Sequence, residues 1–397
     1  MSEQKELEYY DMSIIKKILK REDMQLLINS DDLATEQYLK PLSKHGDHVS
    51  CNSNDTRYML NQRKINLFKF LIEIGARLHY IGSGATGHTF MGEIIKENET
   101  VFKFAMKVSA YPKRETYGAI TNITRPENAE IMMLRILSYF VMKNKTPHII
   151  LPIITFTTDI KMFLAMSNYG YITHNVEKYE EFVERAKNGH YEKTVSILLS
   201  EWANRGDFLD FLRNRYNNFK LIHWKVFFFQ IISVLAVIQE KYPQFRHNDM
   251  KANNILVQKI KKTHNMLYEV CDKKYNVPNI GYITKLCDFD FACIDGVVDN
   301  VKVHEDWTKK SNITSDKHQY YDIHYFFNTL IRFLPEIVKD NKHIPQEVPE
   351  FIFRVVPKKY QSNSVKVHKK GRLLVNDEYT TPKHILETDD FFKEFRY

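Results

Sequence analysis

Long apolar runs are nearly absent from this 397-residue sequence. The most apolar one, Val226-Phe227-Phe228-Phe229-Gln230-Ile231-Ile232-Ser233-Val234-Leu235-Ala236-Val237-Ile238, is too short to span a bilayer and carries Gln230. It reads as a central buried helix, and no transmembrane segment is expected. Cysteine is equally sparse. Cys51, Cys271, Cys287 and Cys293 have neither metal-ligand spacing nor the density of a disulfide scaffold, so reduced thiols are the default. Internal repeats, heptads and low-complexity tracts are missing, which sets aside solenoids, coiled coils and linkers. The N-terminus, Met1-Ser2-Glu3-Gln4-Lys5-Glu6-Leu7-Glu8, lacks the basic-then-apolar layout of a secretion signal, and a cytosolic chain is expected. The formal charge of +8 is modest for the length, and no nucleic-acid partner is expected. What the chain does have is 43% hydrophobic side chains, with 26 Phe and 23 Tyr, enough to fill two hydrophobic cores.

The most informative stretch is His247-Asn248-Asp249-Met250-Lys251-Ala252-Asn253-Asn254-Ile255-Leu256-Val257, which runs into a strand-like segment. Asp249 offers a carboxylate to accept the proton of an attacking hydroxyl. Lys251 offers an ammonium to steady a phosphoryl group in transfer, and Asn254 offers an amide oxygen to a magnesium ion. A lone Asp-x-Lys-x-x-Asn is about as often an ordinary polar turn, so the reading depends on its company.

Upstream lies Ile81-Gly82-Ser83-Gly84-Ala85-Thr86-Gly87-His88-Thr89-Phe90, followed by Phe104-Ala105-Met106-Lys107-Val108. In a dinucleotide-binding motif the third glycine opens a helix, but the β-branched and aromatic residues after Gly87 favour a strand. A glycine-rich hairpin lets backbone amides close over phosphates. Ala105 then offers a small surface to adenine, and Lys107 a cation to the α- and β-phosphates. The bland alternative is a lysine on an exposed strand face. Downstream, Lys285-Leu286-Cys287-Asp288-Phe289-Asp290-Phe291 delivers Asp288 from an apolar strand, as a second magnesium ligand requires.

The ordered set of glycine-rich hairpin, Ala-x-Lys, His-x-Asp-x-Lys-x-x-Asn and Asp-Phe-x resembles the protein kinases over about residues 78 to 335. It is most similar to the poxvirus-type serine/threonine morphogenesis kinases of large DNA viruses. The resemblance implies an α+β, two-lobed fold, with an antiparallel-sheet N-lobe carrying a C helix and a mainly helical, reduced C-lobe. It implies residues 1–75 as a helical N-terminal extension, 76–203 as the N-lobe with an insertion at 168–193, and 204–397 as the C-lobe with an insertion at 258–284. ATP with Mg or Mn and protein Ser/Thr substrates come with it, as do the host cytoplasm at the viral factory and packaging in the virion. By the same resemblance Ile81, Gly82, Gly84, Gly87, Ala105, Lys107, Glu201, Ala203 and Asp207 bind ATP. Ser200 is the gatekeeper, Asn254 and Asp288 hold the metal, and Asp249, Lys251, Lys107 and Glu130 are catalytic. Glu130, on a segment with helical apolar spacing, pairs with the strand lysine, and Glu127 is its fallback. Asp322 is expected as buried support for the catalytic loop, although an Asp at a helix start is also simply a good N-cap.

Several departures accompany the match. Asn248 replaces the arginine that would read a phosphate between Asp288 and Asp322, so activity without phosphorylation of Thr308, Ser311, Thr314 or Ser315 is expected. Asp290 stands where glycine is usual, which raises the prospect of a left-handed aspartate and a restrained segment. Only about 75 residues follow Asp322, too few for a full set of C-terminal helices. The first insertion contains Val176 to Ala186, spaced as an amphipathic helix, and the second is a Lys-rich excursion. Basic clusters at Lys259 to Lys262 and around Lys358, Lys359, Lys366, Lys369 and Lys370 read as solvated faces, or else as landing sites for acidic partners or anionic membrane. Two other function classes compete with the protein kinase. A choline-kinase or aminoglycoside-kinase type of phosphotransferase is opposed by Lys251, and a pseudokinase binding module is opposed by the survival of Lys107, Asp249 and Asp288.

Overall fold

Alternation decides the first half of the chain. In Phe104-Ala105-Met106-Lys107-Val108 the odd-numbered positions are small or charged and the even ones are fully buried, so one strand face enters a core and the other carries Ala105 and Lys107. The computed structural model describes residues 25–28, 54–84, 87–96, 99–172, 176–339 and 342–397. Most of the expected N-terminal extension, Cys51, and Ala85 and Thr86 of the glycine-rich loop lie outside the described residues. Within 54–75 the short helices Thr56–Met59 and Leu67–Glu73 (α1) are present.

The chain divides into two units, the first comprising 54–115 and 151–202 of the described stretches together with 25–28, the second 116–150 and 203–397. The first is built on an antiparallel sheet of five strands, β1 (Ala76–Ser83), β2 (His88–Lys96), β3 (Glu99–Pro112), β4 (Pro152–Asp159) and β5 (Tyr191–Glu201), in the order β1-β2-β3-β5-β4. The residues after Gly87 thus continue as a strand. Gly87 is obligatory for a packing reason: a Cβ there would lie 2.5 Å from the carbonyl oxygen of Val108. The register slips between Tyr80 and Gly82, which leaves Ile81 as a bulge.

One face of the sheet is covered by aromatic side chains. The segment expected as the first insertion carries a helix, α4 (Val176–Lys187), that buries Tyr179 and Phe182, after the short α3 (Ile160–Leu164). The Tyr179 hydroxyl donates to the carbonyls of Phe163 and Leu164, both at 3.0 Å. His88 is enclosed by Phe163, Tyr179 and Phe182 and shares a 2.9 Å hydrogen bond with the Tyr80 hydroxyl. Burial pushes its pKa down to about 4. Each fully buried large apolar side chain of this kind contributes about 1.5–3 kcal/mol, so α4 is part of the core.

The second unit opens with α2 (Pro126–Met142), started by proline at a position that needs no N–H donor. It continues with α5 (Phe208–Arg215), α6 (Leu221–Lys241), the paired strands β6 (Ile255–Lys259) and β9 (Tyr282–Leu286), the hairpin β7 (Met266–Val270) and β8 (Lys273–Val277), then α7 (Tyr321–Phe333), α8 (Glu347–Val355) and α9 (Pro382–Thr388). At 21 residues α6 is long and apolar enough to cross a membrane by length and composition. It is instead walled in by Phe208, Phe326, Phe351 and Phe391. Its buried Gln230 is matched across to β9. Gln230 accepts from the Thr284 amide at 2.9 Å and donates to the Tyr282 carbonyl at 3.1 Å, which locks the core helix to β9. Residues 258–284, expected as the second insertion, contain the β7–β8 hairpin between the end of β6 and the start of β9.

Candidate active site

The stretch from Tyr242 to β6, which holds the Asp-x-Lys-x-x-Asn sequence, forms no strand or α-helix, so its backbone donors need side-chain partners. Asp322, fully buried in the first turn of α7, provides them. Its carboxylate accepts from the amides of His247 at 2.7 Å and Asn248 at 2.8 Å. These contacts hold Asn248 in the left-handed region at φ 63°, a conformation asparagine tolerates better than most. Helix α7 itself has no side-chain N-cap, so Asp322 serves the loop and not the helix end. His247 donates through Nε2 to the Cys287 carbonyl at 3.1 Å and packs on Phe289 with ring centroids 5.0 Å apart.

On this frame Asp249, Lys251 and Asn254 come together. Lys251 Nζ lies 2.8 Å from Asp249 Oδ2, and Asn254 Nδ2 donates to the same oxygen at 3.0 Å and to the Asp249 carbonyl at 2.9 Å. The other carboxylate oxygen, Oδ1, is bonded by the guanidinium of Arg372. Spending its N–H groups on Asp249 fixes the plane of the Asn254 amide, whose oxygen is then the hard donor that magnesium prefers.

Strand β9 ends beside this loop, where the Cys287 amide donates to the Asn254 carbonyl at 3.1 Å. Asp288 follows in the left-handed region at φ 61°. The left-handed aspartate anticipated at position 290 is therefore at 288; Asp290 is not among the positive-φ residues. Asp290 is buried and ion-paired with Lys302, whose ammonium also sits 3.9 Å from the centre of the Phe291 ring. Asn300 donates to the carbonyls of Asp290 at 2.9 Å and Ala292 at 3.2 Å, so side chains from 300 and 302 staple the segment. No cluster of three or more His, Cys, Asp or Glu side chains is present among the described residues. A sparse oxygen set such as Asp288 and Asn254 suits magnesium, which takes one or two protein ligands and completes its shell with phosphates and water.

Among the remaining candidates, Ile81, Gly82, Gly84, Gly87, Ala105, Lys107 and Glu201 belong to the first unit. Lys107 on β3 is flanked by Thr89 and Leu198, and Ala105 by Met91 and Ser200. Glu201 spends its amide on the Leu151 carbonyl at 2.9 Å and accepts from the Leu151 amide at 2.7 Å through its carboxylate. Ala203, Asp207 and Glu130 belong to the second unit. Ala203 and Glu130 are buried, and the fallback Glu127 is paired with Arg125 at 3.0 Å. Burial also lifts the Glu127 carboxyl above the usual range. Asp207 caps α5, accepting from the Asp210 amide at 3.0 Å and from Asn253 at 3.4 Å, and burial raises its pKa.

Sequence reasoning missed three cations. Arg372 lies next to the Lys-rich cluster read as a solvated face, yet its side chain is almost fully buried against Asp249. Arg246, beside the motif, donates to Thr314 Oγ1 at 2.9 Å and to the carbonyl of Asn312, and stacks 3.9 Å from the Tyr321 ring. A guanidinium therefore does reach the segment that Asn248 was expected to leave unread. Asn248 contributes its own amide, donating to the carbonyls of Phe291 at 3.1 Å and Thr314 at 3.0 Å. Lys302 is the third. A Lys or Arg on the far side of an acidic motif was the available signal, but it does not say which one folds back.

Comparison with known proteins identifies the family. The family model described as poxvirus serine/threonine protein kinase matches residues 117–376. The R400 protein of Acanthamoeba polyphaga mimivirus, which carries a serine/threonine-protein kinase name, is 46% identical over 369 residues, covering 90% of this chain and 77% of its own length. Serine/threonine-protein kinase 2 of variola virus and of vaccinia virus is 30% identical over 161 residues, which is 40% of this chain and 34% of each viral protein. With about two thirds of its length under that family model and 90% of it aligned to a mimivirus relative 46% identical, the chain belongs to the poxvirus serine/threonine protein kinase family and is an enzyme of that class.

Proposed function

We propose that the protein transfers the γ-phosphoryl group of ATP to serine and threonine hydroxyls of protein substrates, with Asp249 as the proton acceptor. The observation that carries this reading is the loop in which Asp322 fixes the backbone while Lys251 and Asn254 share one oxygen of Asp249. The acceptor hydroxyl approaches Asp249, its oxygen forms the new bond to phosphorus, the bond to the ADP oxygen breaks, and the hydroxyl proton passes to the carboxylate. Lys251 stabilises the charge spread over the phosphoryl oxygens, and Lys107 is assigned to the α- and β-phosphates. Asp288 and the Asn254 amide oxygen would hold magnesium, which neutralises phosphate charge when bound. Glu130 is assigned the orienting carboxylate of the strand lysine. The Glu201 carbonyl and Ala203 are assigned to adenine, because the Glu201 amide is already committed to Leu151.

Purified protein with labelled ATP, magnesium and a mixed protein substrate tests the reading, followed by phosphoamino-acid analysis and with choline-like alcohols in parallel. Label on serine and threonine is the expected result. Label on the alcohols alone, or none at all, would overturn it.

A further inference from the structure

A carboxylate that accepts a proton must present one lone pair to the incoming hydroxyl while the rest of the group is held still. Asp249 has about four acceptor positions. Lys251 and Asn254 use Oδ2, and Arg372 Nη2 uses Oδ1, which leaves a position on Oδ1 for a substrate. The same guanidinium donates through Nη1 to the carbonyl of Asn248, the left-handed residue just before Asp249. One planar group thus fixes both the backbone turn and the carboxylate of the base, a fork that a lysine cannot reproduce.

Arg372 is held in its turn. Its guanidinium lies 4.2 Å from the Tyr325 ring and 3.4 Å from the Tyr321 hydroxyl. It is delivered by a tight hairpin in which His368 donates to the Arg372 carbonyl at 2.8 Å and Leu374 to the Lys366 carbonyl at 2.8 Å. Gly371 turns the chain at φ 92°. The hairpin is tied to α7 by Asn328, which donates to the Gly371 carbonyl at 2.9 Å, and by Arg332, which donates to Lys369 at 2.8 Å. Asn312 reaches the Leu373 carbonyl at 3.0 Å. This is a built arm and not a loose tail lying across the site.

We propose that Arg372 is a positioning residue for phosphoryl transfer, acting through Asp249, an inference that rests on the reading of Asp249 as the proton acceptor. The arm makes the base competent and does not block it. The test compares wild type, Asp249→Asn, Arg372→Gln, Arg372→Lys and Arg372→Ala for kcat on a protein substrate, for affinity towards a fluorescent ATP analogue, and for melting temperature. Arg372→Gln keeps the length but loses the charge and the fork. It is expected to lower kcat by about tenfold to a hundredfold, as small misplacements of a reacting group do, with nucleotide affinity and melting temperature near wild type. Arg372→Lys should recover part of the loss, and both decide the matter if the alanine variant does not fold. A glutamine variant at wild-type kcat overturns the inference, as does one faster than wild type, which would make the arm a plug. Losses of kcat that only follow losses of melting temperature across the three variants overturn it too. A wild-type protein that transfers no phosphate overturns the kinase reading itself, and this inference with it.

Discussion

Around Lys107 the backbone is a regular strand and the buried neighbours are Phe90, Phe104, Met106 and Phe156, whereas around Asp249 the backbone is irregular and the buried neighbours are Arg246, Asn248, Asp322 and Arg372. A strand places a side chain by register, so apolar packing of Phe104, Met106 and Val108 on one face decides that Lys107 leaves the sheet on the other. An irregular loop has no such ruler, and every unmatched amide in it costs free energy. The second unit therefore holds Asp249 and its loop with charged side chains that reach specific partners. The contrast separates two kinds of damage: loss of packing should cost stability, and loss of a buried polar contact should cost geometry at Asp249.

Phe156→Ala should produce the largest change in stability, about 3–5 kcal/mol from the cavity left in the sheet core, while turnover per folded molecule is kept. Denaturant melts combined with an assay normalised to folded protein check this. An unchanged stability would mean the sheet core is not what holds the first unit.

Asp322→Ala strands two buried amides and should cost about 3 kcal/mol, with a loss of turnover well beyond the fraction unfolded. If turnover only tracks the folded fraction, the loop geometry does not depend on Asp322, and the contrast between the units fails.

Protonation sharpens the comparison further. Buried His88 in the first unit has its pKa depressed to about 4, and His148 and His324 in the second are depressed to about 3 and about 4. The unfolded chain takes up these protons near pH 6.5 and the folded one does not. The stabilisation is thus fully present above pH 6.5 and is lost as pH falls towards 4. For His88 alone the loss approaches about 2–3 kcal/mol across that window. Denaturation midpoints of wild type and His88→Phe between pH 7 and 4 measure it, and parallel curves for the two would refute the assignment.

The smallest effect concerns Ser311, Thr314 and Ser315. Arg246 and Asn248 already bind this segment through neutral groups, so alanine at all three should leave turnover within about twofold, the usual range for sites outside the core. A large loss that Thr314→Glu restores would show instead that Arg246 reads a phosphate there.

Much of this was legible in the sequence because the signals are local. The β-branched and aromatic residues after Gly87, the helical spacing of Val176 to Ala186 and the apolar run from Val226 each report their own element, and the Asp-x-Lys-x-x-Asn spacing marks the loop that brings its own members together. The rest depends on contacts far apart in the chain. Arg372 and Asp249 are 123 residues apart, and nothing near either one specifies the other. The β7–β8 hairpin was unreadable for a different reason: its turn places Cys271 and Asp272 in the left-handed region, at φ 48° and 62°, where asparagine or glycine would have announced it. The substitution at Asp290 was visible, but its consequence was not. The strained backbone belongs to Asp288, and Asp290 is restrained by its pairing with Lys302.

The central claim is that Asp249, held by Lys251, Asn254 and Arg372, is the proton acceptor in phosphoryl transfer. Single-turnover transfer from labelled ATP to a serine-containing protein substrate, measured for wild type and the nearly isosteric Asp249→Asn, tests it most directly. The account predicts a fall of about 10² to 10⁴-fold in the transfer rate with nucleotide affinity and melting temperature near wild type. An Asp249→Asn protein that transfers phosphate at the wild-type rate would contradict it.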